Sequence, residues 1–151
     1  MTCLYEFYIK MKTSLPINVK EIEKDNYHLF IRVKIGRKKA NLLLDTGASK
    51  TVFDKKKVLQ FIEKKYIKKN ENKSVGLGTD AVKTATTQLA KVKFNKLKLA
   101  IIEVVVLDLS HVNITYKLLG LDQIDGVLGS DFLYDHKAII NYEKKRLTLK
   151  G

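Results

Sequence analysis

The sequence predicts a mostly-β domain with two or three short helices. Tyr27–Ile35 alternates apolar and polar residues at the period of a half-buried strand, and residues 81–107 are almost continuously β-like, with Gln88–Phe94, a turn at 95–96 and then Leu97–Leu107, which contains the apolar run Val104–Leu107. Turn-forming residues separate the strand-like stretches, and segments with helical periodicity are few and short. The chain has 151 residues, 45% of them hydrophobic, so it fits one globular domain with a sizeable core.

The first half is expected to begin with strands. Leu15–Val19 alternates apolar and polar residues, and Pro16 within it belongs on an edge strand or at a strand start. Gly36–Lys38 closes a hairpin between Tyr27–Ile35 and Lys39–Asp45. After a short β segment at 51–53, we expect Asp54 to cap a helix that runs to about Lys65. Its inward stripe would be Val58, Leu59, Ile62 and Tyr66.

The second half continues the β pattern. Ser110 is expected to cap a short helix over Val112–Leu119, which Gly120 ends. An apolar strand then leads through Gly129 into a short capped helix. Ala138–Tyr142 and a strand over 146–149 form a final hairpin around a turn at 143–145. No internal repeat or low-complexity linker interrupts this single unit.

The termini and the cysteine content indicate a cytoplasmic protein. Cys3 is the only cysteine, so no internal disulfide is possible. No run of 18 apolar residues exists, and the first ten residues lack the basic head and apolar stretch of a signal peptide. We expect residues 1–12 to be an N-terminal extension and residues 13–151 to be the functional domain.

The formal charge of +13, from 29 Lys and Arg against 16 Asp and Glu, raises the alternative of a basic nucleic-acid-binding β domain. The lysines are spread over turns and alternate strand positions. They are not interleaved with aromatic residues, and no zinc spacing or helix-turn-helix pattern accompanies them. A solvated lysine-rich surface is therefore the better interpretation, and nucleic acid is not expected as a partner.

The stretch Leu42–Ser49 is the strongest candidate for chemistry. Three leucines indicate a buried strand, and Asp45 stands where that strand must end. Burial and a second carboxylate can tune such an acid for proton transfer. Asp-Thr-Gly is also ordinary turn chemistry, so this motif alone leaves both interpretations open.

Two later segments bear on that choice. Gly76–Asp80 has two glycines around one leucine, which fits either a mobile hairpin that approaches a ligand or a plain β-turn. Gly126–Leu133 is an apolar strand that ends in Gly129 and runs directly into a helical turn.

Together these segments resemble the retropepsin-like aspartic proteases. In that family the acid turn has the form Asp-Thr-Gly-Ala-Ser, as at Asp45–Ser49, and the later element has the form Gly-(Ile/Val)-Leu-Gly-x-Asp-Phe-Leu, as at Gly126–Leu133. The order and spacing agree over roughly positions 13–150. The resemblance, which is greatest to small single-lobe bacterial aspartyl proteases, implies a closed β-barrel lobe and aspartic endopeptidase activity on peptides.

Carboxylate-catalysed peptide hydrolysis needs one ionised and one protonated carboxyl group at the same moment. This chain has one Asp-Thr-Gly, and Asp125 lacks the following Thr or Ser and precedes its strand instead of ending it. The second acid is therefore expected from another copy of Asp45, in a two-fold homodimer.

The positive charge would favour acidic substrates. A catalytically inactive peptide-binding or partner-binding module of the same fold is the alternative.

The resemblance also implies roles for the remaining residues. Asp45 is the catalytic residue, and the turn residues that support it are Thr46, Gly47, Ala48 and Ser49. The flap over the substrate would be Gly76, Leu77, Gly78, Thr79 and Asp80. The scaffold behind the turn would be Val127, Leu128 and Gly129.

No metal or other cofactor is expected. The three histidines, His28, His111 and His136, have no metal-ligand spacing and are interpreted as surface or turn residues. Asp131 is interpreted as a first-turn helix acid and not as a catalyst.

Overall fold

The computed structural model describes residues 11–70 and 84–151. The described chain forms strands, two α-helices and two 3-10 turns. The strands are β1 (Lys12–Pro16), β2 (Asn18–Glu23), β3 (Asn26–Ile35), β4 (Lys38–Leu44), β5 (Val52–Asp54), β6 (Lys68–Lys69), β7 (Ala85–Phe94), β8 (Leu97–Leu107), β9 (Gly126–Leu128), β10 (Ile139–Asn141) and β11 (Arg146–Lys150). The helices are α1 (Ser110–Leu118) and α2 (Ser130–Asp135), and the 3-10 turns are Lys57–Gln60 and Lys64–Tyr66. Neither α-helix of the described part has the length and apolarity needed to cross a bilayer.

The larger sheet closes on itself. Its strand order is β2-β3-β4-β9-β5-β8-β7-β6, and an additional antiparallel pairing joins β3 to β7 at Lys34↔Lys93 and Ile35↔Val92. Six strands, β3, β4, β9, β5, β8 and β7, therefore form a ring. Both long hairpins of the ring turn through a residue with positive φ, Gly36 at 60° and Asn95 at 53°. The mostly-β architecture with a closed ring of strands, expected from the sequence, is confirmed.

A second, three-stranded sheet gathers the two ends of the described chain. β11 lies between β1 and β10, and it is antiparallel to both. Leu147 and Leu149 of β11 are fully buried, because their side chains pack into the core of the ring. The edges of this sheet are β1 and β10.

Two apolar clusters occupy opposite faces of β3 and β4. The main core lies within the ring and takes the alternate β3 positions Leu29, Ile31, Val33 and Ile35, as their periodicity predicts. Phe30 faces the other way and packs with Tyr116 of α1 and with Ile124. The side chain of buried Asn113 holds α1 to the following loop, because it donates to Ile124 O at 3.0 Å and accepts from Ile124 N at 2.8 Å.

The predicted helix from Asp54 to about Lys65 is wrong. Asp54 does accept the backbone N–H groups of Lys56 and Lys57, at 3.1 and 3.0 Å, but the chain continues as two separate 3-10 turns. A continuous helix would direct its whole apolar stripe to one side. Instead only Val58 is fully buried, while Leu59 and Tyr66 are 44% and 57% exposed. The short turns let the chain bury Val58 and then return to the sheet as β6.

Helix α1 agrees with the prediction except at its start. Ser110 is the first helical residue, not the cap, and its N–H donates to the carboxylate of Asp108 at 2.9 Å. Hydrogen bonding from the Ser110 side chain, and then from its backbone N–H, holds the pKa of the Asp108 carboxyl below its ordinary value. Gly120 ends the helix as expected, at a φ of 71°.

Candidate active site

The Asp-Thr-Gly turn leaves the ring at the end of β4. β4 runs parallel to β9, with Leu42 opposite Gly126 and Leu44 opposite Leu128, and Asp45 N donates to Leu128 O at 3.1 Å. The backbone of Asp45 is thus still anchored to β9, while its carboxylate extends beyond the sheet and is exposed. The chain's own core does not bury this acid, although the leucine run before it suggested that it would.

Two backbone N–H groups of the turn donate to Asp45. Gly47 N donates to Asp45 Oδ1 at 2.9 Å, and Ala48 N donates to Asp45 O at 3.2 Å. A Cβ on Gly47 would lie 3.2 Å from the same carboxylate oxygen. Thr46 and Ser49 are exposed, and Ala48 is half-buried. The arrangement orients one carboxylate oxygen by a backbone donor and leaves the side chain open to solvent.

Thr51 anchors the far side of the turn, and sequence reasoning missed it. Thr51 is 2% exposed, and its hydroxyl donates to Asp131 Oδ1 at 2.8 Å and accepts from Gly129 N at 3.1 Å. Thr51 N donates to the other oxygen of the same carboxylate at 3.1 Å. Asp131 is the first-turn acid of α2, as predicted, but it is also the group that holds Thr51. The two residues are 80 positions apart, so no local sequence pattern connects them.

The predicted scaffold lies directly behind the turn. A Cβ on Gly129 would lie 2.5 Å from Lys50 O and 2.9 Å from Ala48 O, so only glycine lets the two segments approach this closely. Ser130 N donates to Ala48 O at 2.7 Å. Leu128 is fully buried and Val127 is half-buried in the sheet between β4 and β5.

Asp125 lies at the other end of β9. Its carboxylate accepts Asn41 N at 2.8 Å and Gln60 Nε2 at 3.2 Å. Asn41 precedes Asp45 by four residues along an extended strand, which separates these positions by about 13 Å. Asp125 therefore cannot share a proton with Asp45 of the same chain.

The predicted flap, Gly76–Asp80, lies outside the described residues, so its role stays a prediction. The described segments on either side of it pair antiparallel, with Lys68 opposite Thr86 and Lys69 opposite Ala85. Asn70 N also donates to Thr84 O at 3.0 Å.

The histidines differ in their surroundings. His111 is exposed, and His136 follows α2, where its ring packs on Phe132 and its Nδ1 lies 3.0 Å from Lys150 O. His28 is not the surface or turn residue expected, because it lies within β3, partly buried, with its Nδ1 2.8 Å from the hydroxyl of Tyr116. Within the described ranges, no group of three or more His, Cys, Asp or Glu side chains could hold a metal ion.

Comparison with known proteins agrees with this geometry. The profile of a family described as aspartyl protease matches residues 31–132, which include the acid turn and most of the scaffold element. The chain belongs to the aspartyl protease family. No curated protein sequence matches this family member significantly.

Solved structures show the fold of this aspartyl protease family member. A retropepsin-like aspartic protease from Rickettsia conorii matches with a TM-score of 0.57 at 21% identity, over 93% of this chain and 90% of that one. The retroviral protease-like domain of Ddi1 from Leishmania major matches with a TM-score of 0.56 at 16% identity, over 81% of this chain and 87% of that one. The fold is therefore retropepsin-like.

Proposed function

We propose that the protein is an aspartic endopeptidase whose catalytic pair is formed by Asp45 from each of two identical subunits. The observation that carries the proposal is the single Asp-Thr-Gly turn, whose carboxylate is oriented by Gly47 N and is exposed in the isolated chain. An exposed carboxylate at the tip of a rigid turn is free to meet its copy across a two-fold axis.

In this mechanism the two Asp45 carboxyl groups share one proton, because neighbouring like charges cannot both ionise. The ionised group takes a proton from water, and the water oxygen bonds to the scissile carbonyl carbon. The protonated group gives its proton to the carbonyl oxygen. The tetrahedral intermediate then collapses, a proton passes to the amide nitrogen, and the C–N bond breaks. The pair is described by two macroscopic pKa values that belong to both acids together.

The smaller sheet supports the homodimer. Within the described chain, β1 and β10 each pair with β11 alone, which leaves one edge of each strand free for another subunit. Exposed apolar side chains lie on or beside this sheet, at Met11, Tyr134, Ile139 and Tyr142. Exposed apolar groups beside open strand edges are typical of an interface.

Charge opposes the association. Each chain carries +13, so a pair carries +26, and this repulsion weakens as salt screens it. We expect the dimer to strengthen between low and moderate ionic strength. Sedimentation equilibrium at about 0.02 M and 0.3 M salt measures this shift. A particle that stays monomeric at both concentrations, up to the protein concentration of the activity assay, would contradict the shared site.

Subunit mixing tests the catalytic pair itself. Asp45→Asn should abolish peptide cleavage while leaving the fold intact, because Asn keeps the shape and removes the ionisable group. Addition of excess Asp45→Asn protein to a fixed amount of wild type should also suppress the wild-type activity, since each mixed dimer holds one carboxylate.

Asp122→Asn is the matched control, because Asp122 is exposed and pairs only with Arg32 in the described structure. It should cleave normally and should not suppress wild type. Peptides that bind wild type and Asp45→Asn equally, with no turnover, would instead indicate a catalytically inactive binding module. Activity that survives in Asp45→Asn would exclude the proposed chemistry.

A further inference from the structure

His28 lies beside the catalytic turn on the neighbouring strand. The β3–β4 ladder ends at the pair Phe30↔Leu43, and continuing that register by two residues along each chain would bring His28 next to Asp45. Side chains alternate along a strand, so His28 and Phe30 share a face with Leu43 and Asp45. Neighbouring strands lie about 5 Å apart, which places the imidazole within reach of a peptide that contacts the Asp45 carboxylate.

Tyr116 of α1 holds the His28 ring from the side away from solvent. Its hydroxyl lies 2.8 Å from His28 Nδ1, and its ring packs edge-on against His28 at 5.8 Å and against Phe30 at 5.5 Å. Tyr116 is only 2% exposed. Burial, followed by the negative charge of Asp45, raises the pKa of the Tyr116 phenol above its ordinary value. This direction is consistent with Asp45 lying near Tyr116.

The contact sets the tautomer of His28. A buried phenol that stays protonated must donate its proton to an acceptor, because an unsatisfied buried donor costs about 1–3 kcal/mol. In the described part of the chain, His28 Nδ1 is the group that lies at hydrogen-bond distance from this hydroxyl, so it would be the acceptor. Neutral imidazole with an acceptor at Nδ1 carries its proton on Nε2. The end of the ring away from Tyr116 thus presents an N–H donor.

We propose that His28 is a specificity-determining residue that donates from Nε2–H to an acidic side chain of the peptide lying across Asp45, with Tyr116 as its positioning residue. The inference rests on the proposed function and names the substrate class of that same cleft. A carboxylate is the best acceptor because charge-assisted hydrogen bonds are the strongest, and the chain's net charge of +13 attracts acidic peptides.

A positional peptide series tests this specificity. Each position of a cleaved peptide is changed in turn to Glu or to Leu, and the ratio of kcat/KM values for each Glu and Leu pair is measured. At one position, wild type should prefer Glu by about 10- to 100-fold, the effect of a hydrogen bond to a charged group. His28→Phe should bring that ratio close to one. His111→Phe, a change at an exposed histidine, should leave it unchanged.

The positioning role of Tyr116 has its own readout. Nitrogen-15 NMR of the His28 ring should show the Nε2–H tautomer in wild type and a mixture of tautomers in Tyr116→Phe, which keeps the aromatic ring but loses the hydroxyl. The same variant should lower the Glu preference. A purely structural role would leave the tautomer unchanged. If His28→Phe does not fold, Tyr116→Phe still tests the proposal.

The outcomes separate this inference from the proposed function. Cleavage with no Glu preference at any position, or a preference that survives in His28→Phe, would overturn the inference and leave the endopeptidase standing. Binding to Asp45→Asn protein is measured with the same peptides. Glu-selective binding that depends on His28, without cleavage by wild type, would support the role of His28 and Tyr116 and reject the endopeptidase. If the protein neither cleaves nor binds these peptides, both proposals are rejected.

Discussion

Replacement of Thr51 by valine is the sharpest test of how the Asp-Thr-Gly turn is held. Valine has nearly the same shape but no hydroxyl, so the change removes the donor to Asp131 Oδ1 at 2.8 Å and the acceptor of Gly129 N at 3.1 Å. A hydrogen bond to a charged group is worth about 1.5–3 kcal/mol, and a buried N–H left without a partner costs about 1–3 kcal/mol. Together these losses should lower the free energy of unfolding by about 3–5 kcal/mol.

Urea unfolding at fixed protein and salt concentration measures the loss, which is a large part of the 5–15 kcal/mol typical of a domain. The midpoint of thermal unfolding should fall by about 6–20 °C. The matched control is Thr115→Val, whose hydroxyl donates at 3.1 Å to His111 O on the exposed side of α1. It should change stability by less than about 0.5 kcal/mol. A loss below about 1 kcal/mol for Thr51→Val would refute the anchoring role.

Three further predictions concern the same framework. Gly129→Ala should lower the free energy of unfolding by about 1–3 kcal/mol and remove most of the activity, because its Cβ would press on Lys50 O. Gly36→Ala, at a φ of +60° in open space, should lower it by about 1 kcal/mol and keep the activity. Equal activity in the two variants would contradict this prediction. Asp54→Ala should cost about 2–4 kcal/mol in urea unfolding, since three backbone N–H groups lose their acceptor; a change under 1 kcal/mol would be inconsistent with it. The raised pKa of Tyr116 contributes stability that is complete below the unfolded value of about 10.0 and is lost as the pH rises through the folded value. Tyr116→Phe should therefore flatten the fall in stability above about pH 10, and an unchanged slope would reject the assignment.

The strands were largely predictable because their signals, alternation or an apolar run beside a turn, are local. Leu29, Ile31, Val33 and Ile35 all face the core, as a period of two requires. The segment after Asp54 was not predictable in the same way. Its apolar spacing fits a helix, but tertiary packing buries Val58 alone and breaks the segment into two 3-10 turns.

The residues of the candidate site also differ in whether a local sequence pattern reveals them. Asp45 and the scaffold Val127, Leu128 and Gly129 could be found because each belongs to a short contiguous motif. Thr51 carried no motif of its own. Its role depends on Asp131, which lies 80 residues later and has a complete local explanation as a helix acid.

The sequence by itself determined that this chain is a β protein with one Asp-Thr-Gly turn and a matching hydrophobic-glycine element, because periodicity and turn chemistry act over a few neighbouring residues. Only the tertiary structure decided which distant groups meet. It closed the ring through β3 and β7, exposed Asp45 at the end of β4 and brought Tyr116 onto His28. The physical reason is that buried polar groups must find partners wherever packing places them, and that placement depends on the whole fold.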